Sequence, residues 1–330
     1  MLRALGKQGA GTCPKRLGGI ALAKYFRMAL LLMCIFCAGC EHMDGNVDFE
    51  QPQGIQAMEQ AADDTEAKPL RIAFASVISP IETRKSYQEM VQYIAEKLGR
   101  PAVLIQRKTY EELNMLLGEG EADIAFVSTG AYTSYNGMMP LELLAMVQTD
   151  NTVFYQAYII VRADSDIYDV GQLRGKTFAF TDPLSYSGRL AIDYMLLDDF
   201  GTTPEQFFHK CFYTFNHDKS IWAVVNKLAD GAGIDSQIYY FAKANDPDID
   251  SKIRIIRIME PTPTGPVVMR QDLPQPLKDR LRDIFFHMDE NPELVEAMHQ
   301  VIIDKFVEPI PEAYDELKRR YQQREGLPGV

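Results

Sequence analysis

A chain of 330 residues is long enough to bury more than one compact core. Its 46% apolar and 24% charged residues exclude wholesale disorder. The balance of 34 basic against 46 acidic residues, a net −12, argues against a nucleic-acid partner, whose phosphates it would repel, though not against one small anion held by local donors.

Residues 1–39 differ from the rest. Arg3, Lys7, Lys15, Arg16, Lys24 and Arg27 stand among them, with no acidic residue. An apolar run from Met28 to Phe36 follows, too short to span a bilayer as a helix, and then Cys37-Ala38-Gly39-Cys40. A basic flank, a short apolar stretch and small residues describe a secretion signal. Small residues before Cys40 resemble a bacterial lipoprotein box, which implies cleavage there and a lipid on the Cys40 sulfur. Cys37 departs from the box, which usually has Leu at that place, and an ordinary signal peptide is the alternative. Of Cys13, Cys34, Cys37, Cys40 and Cys211, only Cys211 would remain as a thiol; its apolar neighbours Phe212 and Tyr213 point to a buried, unreactive group. Residues 40–69 are polar and without period, a tether.

Order begins at Leu70. Arg71 to Ser76 reads as a strand, and Tyr87, Met90, Val91, Ile94 and Leu98 mark a helix from Arg84. Ala102 to Gln106 is a strand; Thr109-Tyr110-Glu111-Glu112 is a capping-box pattern opening a helix to about Gly118. Strands follow at Asp123 to Val127, Leu143 to Val147 and Tyr155 to Arg162. A second series has strands at Thr177 to Phe180, Cys211 to Phe215, Gly233-Ile234 and Ile253 to Met259, with helices between. Pro274 to Arg324 is chiefly helical. Two α/β series imply two lobes with mostly parallel sheets flanked by helices and a cleft between them. The expected division is 70–157 for the first lobe, 158–259 for the second, and 260–330 for the return, with crossings near Ala157 and after Met259.

Four polar turns at strand ends are candidates for ligand contact. The first is Asp182-Pro183-Leu184-Ser185-Tyr186-Ser187-Gly188, where unpaired N–H groups of a helix start and the hydroxyls of Ser185 and Ser187 would favour an anion. The second is Ser128-Thr129-Gly130 in the other series. His217-Asp218 is the third, a protonated His217 supplying charge and a donor. Asp235 is the fourth; beside an anion it would need a P–OH proton or a ligand amine, which favours protonated phosphorus oxyanions or aminophosphonates over sulfate. Taken alone, the two serine turns read better as helix caps, and Asp218 and Asp235 can each cap the helix that follows them. Tyr155 is the aromatic residue expected at the cleft, where its strand leaves the first lobe. No Cys/His spacing suggests a metal site and no phosphate loop or nucleophile elbow is present, so neither cofactor nor metal is expected.

In order along the chain stand Gly120-Glu121-Ala122-Asp123-Ile124-Ala125-Phe126, Tyr155 before Tyr158-Ile159-Ile160-Val161, Asp182-Pro183 with Ser185-Tyr186-Ser187-Gly188, His217-Asp218, and Gly265-Pro266-Val267-Val268. This series, over Leu70 to Arg324, resembles the periplasmic phosphate/phosphite/phosphonate-binding proteins of ABC importers. The resemblance implies a type II periplasmic binding fold that captures a small phosphorus oxyanion without catalysis and delivers it to a membrane permease, as a lipid-anchored monomer. By position, Ser185, Tyr186, Ser187 and His217 would hold the oxyanion, with Ser128, Thr129 and Tyr155 opposite. Tyr186 departs from the small hydroxyl residue common there, and its ring is expected to narrow the pocket. The same fold also serves sensors that signal to a membrane kinase, and a hydrolase using Ser185 or Ser187 with His217 is a third reading.

Overall fold

Residues 68–75, 78 and 80–325 are described by a computed structural model of the chain. The signal stretch, Cys40 and most of the tether lie outside them. In chain order the strands are β1 (Leu70–Ala75), β2 (Ala102–Arg107), β3 (Ile124–Phe126), β4 (Leu141–Gln148), β5 (Phe154–Tyr155) and β6 (Ala157–Arg162). They continue as β7 (Thr177–Phe180), β8 (Lys210–Tyr213), β9 (Gly231–Asp235), β10 (Ile253–Ile258), β11 (Thr262–Pro263), β12 (Pro266–Arg270) and β13 (Lys305–Val307). One sheet has the order β13-β4-β12-β3-β1-β2, the other β10-β6-β9-β7-β8, and β11 pairs with β5 between them.

Alternation in the strands explains the layering. Leu70, Ile72 and Phe74 of β1 face one core, with Met90 and Ile94 of the helix Pro80–Leu98 and Phe285 of the helix Gln275–Phe286. Ala73 and Ala75 face the other, under Leu113 and Leu117 of the helix Tyr110–Gly118. The second sheet repeats this: Ile159, Val161, Phe178 and Phe180 pack on one side, Tyr158, Ile160 and Ala179 on the other. Burying each such Phe or Ile stabilises the fold by about 1.5–3 kcal/mol. The Thr109 capping box forms as the pattern predicts, with Glu112 N–H on Thr109 Oγ1 at 3.2 Å and Thr109 N–H on Glu112 Oε2 at 3.3 Å.

The expected parallel pairing holds for β2-β1-β3 and β8-β7-β9, but each sheet as a whole is mixed. β12 and β13 run antiparallel to their neighbours in the first sheet, as β6 does in the second. For β6 and β12 the cause is the two crossings. β6 and β12 carry the chain from the hinge into a lobe, so they start at the cleft and oppose strands that end there. β13, Lys-Phe-Val, was hidden in a stretch read as helical, because three residues show no period.

The last described helix, Asp315–Glu325, touches both lobes. Lys318 Nζ donates to the Tyr132 hydroxyl at 3.1 Å, and Arg324 pairs at 2.8 Å with buried Asp193, which also pairs with Arg189. Cys211 is half-buried, and burial pushes its thiol up to about 11, so it is inert at neutral pH as its apolar setting suggested.

Candidate functional site

A cavity of about 110 Å³ lies between the lobes, at the carboxyl ends of the strands. The share of about four water molecules fits such a volume, so a ligand of few heavy atoms is implied. Ala75 ends β1, Ser128 and Thr129 follow β3, Ser185 and Ser187 follow β7, His217 follows β8 and Asp235 ends β9; all line the cavity. No Lys or Arg does among the described residues. Positive potential comes instead from helix starts aimed at one place.

The Ser185 turn is built as a cap. Ser185 Oγ accepts the Gly188 N–H at 3.1 Å, and both Arg189 and Leu190 N–H donate to the Ser185 carbonyl, a wide first turn. That fills part of the Ser185 hydroxyl's capacity, whereas Ser187, 1% exposed, lines the cavity beside Tyr155. Gly188 is needed for a reason other than ligand approach: a Cβ there would sit 2.5 Å from Thr181 Oγ1. Tyr186 does not line the cavity. Its ring lies 6.4 Å from that of Tyr194 and its hydroxyl interacts with Thr262 in the hinge and feels Arg320, so it does not narrow the pocket.

On the first-lobe side, Ser128 Oγ caps its own helix, accepting Ala131 N–H at 3.1 Å, and donates across the cleft to the Leu184 carbonyl at 3.2 Å. Thr129 Oγ1 donates to the Pro263 carbonyl at 2.8 Å. Tyr155 sits in β5, opposite Thr262, and its hydroxyl interacts with Thr129 of one lobe and Ser187 of the other. Burial raises its pKa further than those contacts lower it, so it stays a neutral donor. Asp182 reaches the other way: its carboxylate accepts the Leu184 N–H at 2.8 Å and, across the cleft, the Tyr110 N–H at 3.3 Å.

His217 is 2% exposed, and its Nδ1 accepts the Asp235 N–H at 3.1 Å. That bond assigns the remaining proton to Nε2, and burial lowers the pKa to about 3. His217 is therefore a neutral donor in this setting rather than the cation its sequence position suggested. Thr181 Oγ1 stands 3.3 Å from the same nitrogen. Asp235 caps the next helix, Oδ1 accepting the Gln237 N–H at 2.7 Å.

Burial raises the Asp235 carboxyl to about 7, while an unfolded carboxyl titrates near 4, about 3.9. Between those values the folded chain holds the Asp235 proton and the unfolded chain has lost it. The group therefore costs stability progressively as pH rises from about 4 to about 7. Asp182 and Asp193, each raised to about 6 by burial, act in the same direction, and His217 acts in the opposite one. The Asp235→Asn variant isolates one contribution. Its stability relative to the unmodified chain is expected to rise by on the order of 2 kcal/mol between about pH 5 and about pH 7.5. Urea melts at both pH values check this; a pH-independent difference contradicts it.

Sequence reasoning missed Tyr110, Gln237, Ile238 and the Thr264-Gly265-Pro266 segment, all on the cavity wall. Tyr110 had a signal: it follows a strand of the first series, as Ser128 does, but its place inside a capping box explained it without a ligand. Tyr132 packs on Tyr314, and the Tyr135 hydroxyl donates to the Met139 carbonyl, both outside the cavity. No group of three or more His, Cys, Asp or Glu among the described residues is placed to hold a metal ion.

The family model of the ABC transporter phosphonate periplasmic substrate-binding proteins matches residues 72–314. The phosphonates-binding periplasmic protein of Escherichia coli (strain K12) is 24% identical over 234 residues, covering 68% of each chain. Among solved structures, PhnD1 from Prochlorococcus marinus (MIT 9301) in complex with methylphosphonate is similar at a TM-score of 0.70 and 16% identity, over 79% of this chain and 99% of that one. A binding protein component of an ABC phosphonate transporter from Pseudomonas aeruginosa gives a TM-score of 0.68 and 19% identity, over 79% and 90%. The two sheets joined by paired crossings thus form a type II periplasmic binding fold. With the family model spanning both lobes and the hinge, the chain belongs to the periplasmic substrate-binding proteins of phosphonate ABC transporters.

Proposed function

We propose that the chain captures a small phosphorus oxyanion, a phosphonate foremost, between its lobes and hands it unchanged to the permease of an ABC importer. The observation that carries this reading is a cavity of about 110 Å³ ringed by neutral donors at strand ends, with no Lys or Arg among the described residues of its wall. Ser187, the Nε2–H of His217 and the Tyr155 hydroxyl, with N–H groups of the Ser185 and Ser128 turns, are the groups we assign to the oxyanion. Hydrogen bonds to a charged group contribute about 1.5–3 kcal/mol each, so a few suffice for micromolar affinity. His217 keeps Nδ1 on a backbone N–H and so offers the cavity a donor, not a base, which favours binding over hydrolysis. Lipid attachment at Cys40, export to the periplasmic face and a monomeric state complete the proposal.

Calorimetric titration with phosphate, phosphite, methylphosphonate, aminoethylphosphonate and sulfate tests it. Micromolar or tighter binding of at least one phosphorus oxyanion is expected, and none of sulfate; silence with all five refutes the reading. Ser187→Ala is expected to weaken the best ligand about 10- to 100-fold, the loss of one charge-assisted bond, with an unchanged melt. Equal affinity would place the oxyanion elsewhere.

A further inference from the structure

Part of the cavity wall is apolar. It includes Val147, Val301, Ile302 and Ile303 from the first-lobe side and Ile238 from the second. Ile302 is unusual in its backbone. It stands at φ 61°, the left-handed region that a β-branched side chain rarely adopts.

The helix Pro292–His299 ends there in a Schellman turn: Ile303 N–H donates to the Met298 carbonyl and Ile302 N–H to the His299 carbonyl, both at 3.0 Å. That turn places its left-handed residue where glycine is the usual occupant, because glycine has no Cβ to clash. Here the position holds isoleucine. The Thr149 hydroxyl fixes the strained residue from behind, donating to the Ile302 carbonyl at 2.7 Å. The side chain packs against the buried cluster that contains Ile78, Ile234 and Ile238, and so reaches beyond its own lobe.

A strained residue held by its surroundings and lining a cavity is where function is expected to reside. We infer that Ile302 is a specificity-determining residue, forming with Ile238 an apolar stop that selects phosphonates whose phosphorus carries a short uncharged alkyl group. This rests on the function proposed above. A charged aminoalkyl arm finds a poor partner, since Asp235, which already caps its helix through Gln237, is the one acidic residue on the described cavity wall. The strain is thereby explained: glycine would suit the turn but leave that part of the cavity open.

The test is calorimetry on the purified full chain with phosphite, methylphosphonate and propylphosphonate, for the unmodified protein, Ile302→Gly and Ile302→Asn. Both replacements accept a left-handed backbone, so each keeps the turn; circular dichroism verifies folding. The unmodified chain is expected to favour methylphosphonate over propylphosphonate by about tenfold or more, the usual value of a methylene or two in a shaped pocket. Ile302→Gly is expected to erase or reverse that ratio with phosphite affinity changed less than about threefold. Ile302→Asn is expected to weaken methylphosphonate against phosphite, because it lines the apolar part of the wall with an amide. The same methyl-to-propyl ratio in all three proteins overturns the inference while leaving oxyanion capture intact. Failure of the unmodified chain to bind any of the ligands overturns both.

Discussion

Gly130→Ala is expected to weaken ligand binding by about 10- to 100-fold while leaving the melting temperature of the ligand-free chain nearly unchanged. A Cβ on Gly130 would stand 2.2 Å from the Leu184 carbonyl oxygen and 2.8 Å from the Tyr186 nitrogen. Those atoms are backbone of the facing lobe, so no side-chain rotation relieves the clash. Either the Ser128 turn or the Leu184 segment must retreat, which strains the Ser128 to Leu184 bond at 3.2 Å. Overpacking of this kind costs about 1–3 kcal/mol, and the cost falls only on the state in which the lobes meet. An apparent affinity that depends on reaching that state falls by the same free energy, about tenfold per 1.4 kcal/mol. Small-angle scattering offers a second readout: the variant should remain more extended at a ligand concentration that compacts the unmodified chain. Unchanged affinity with normal compaction would show that the lobes close by a route that does not press Leu184 on Gly130.

The sequence revealed much of the frame and less of the chemistry, for reasons visible at particular residues. Strand positions were legible because β1 and β6 are apolar on both faces: Ile72 and Phe74 enter one core and Ala73 the other, and Ile159 faces one side of the second sheet while Ile160 faces the opposite one. Strand direction was less so, since β6 and β12 look like any buried strand until the crossing that reverses them is known. Of the eight ligand candidates, seven line the cavity and Tyr186 does not. Its position in the turn was plain, but its ring lies near Tyr194 and feels Arg320, and the second of these is distant in sequence. Ile302 gave no signal at all. Its role depends on a left-handed backbone at a helix end, where the sequence would lead one to expect glycine.

His217 performs two tasks at once, and separate substitutions should divide them. Its Nδ1 accepts the Asp235 N–H at 3.1 Å and sits 3.3 Å from the Thr181 hydroxyl, which lies 3.4 Å from Ser220 Oγ. That side of the ring fixes the end of β9, so that Asp235 and Gln237 reach the wall. The other side, Nε2–H, is the donor we assign to the oxyanion. His217→Ala removes both: an unpaired buried N–H costs about 1–3 kcal/mol of stability, and the lost charge-assisted bond about 1.5–3 kcal/mol of binding. A displaced β9 end adds to the binding loss, which is expected to reach about 100-fold or more. His217→Asn places an amide oxygen near the old Nδ1, so it should recover much of the stability and little of the affinity. His217→Gln extends an amide towards the old Nε2 and should do the reverse. Burial holds the imidazole near a pKa of about 3, so ligand affinity should show no step near pH 6.5 that disappears in His217→Gln. If Asn and Gln restore binding equally, the two sides of the ring are not separable, and His217 acts on the ligand only through the position of β9.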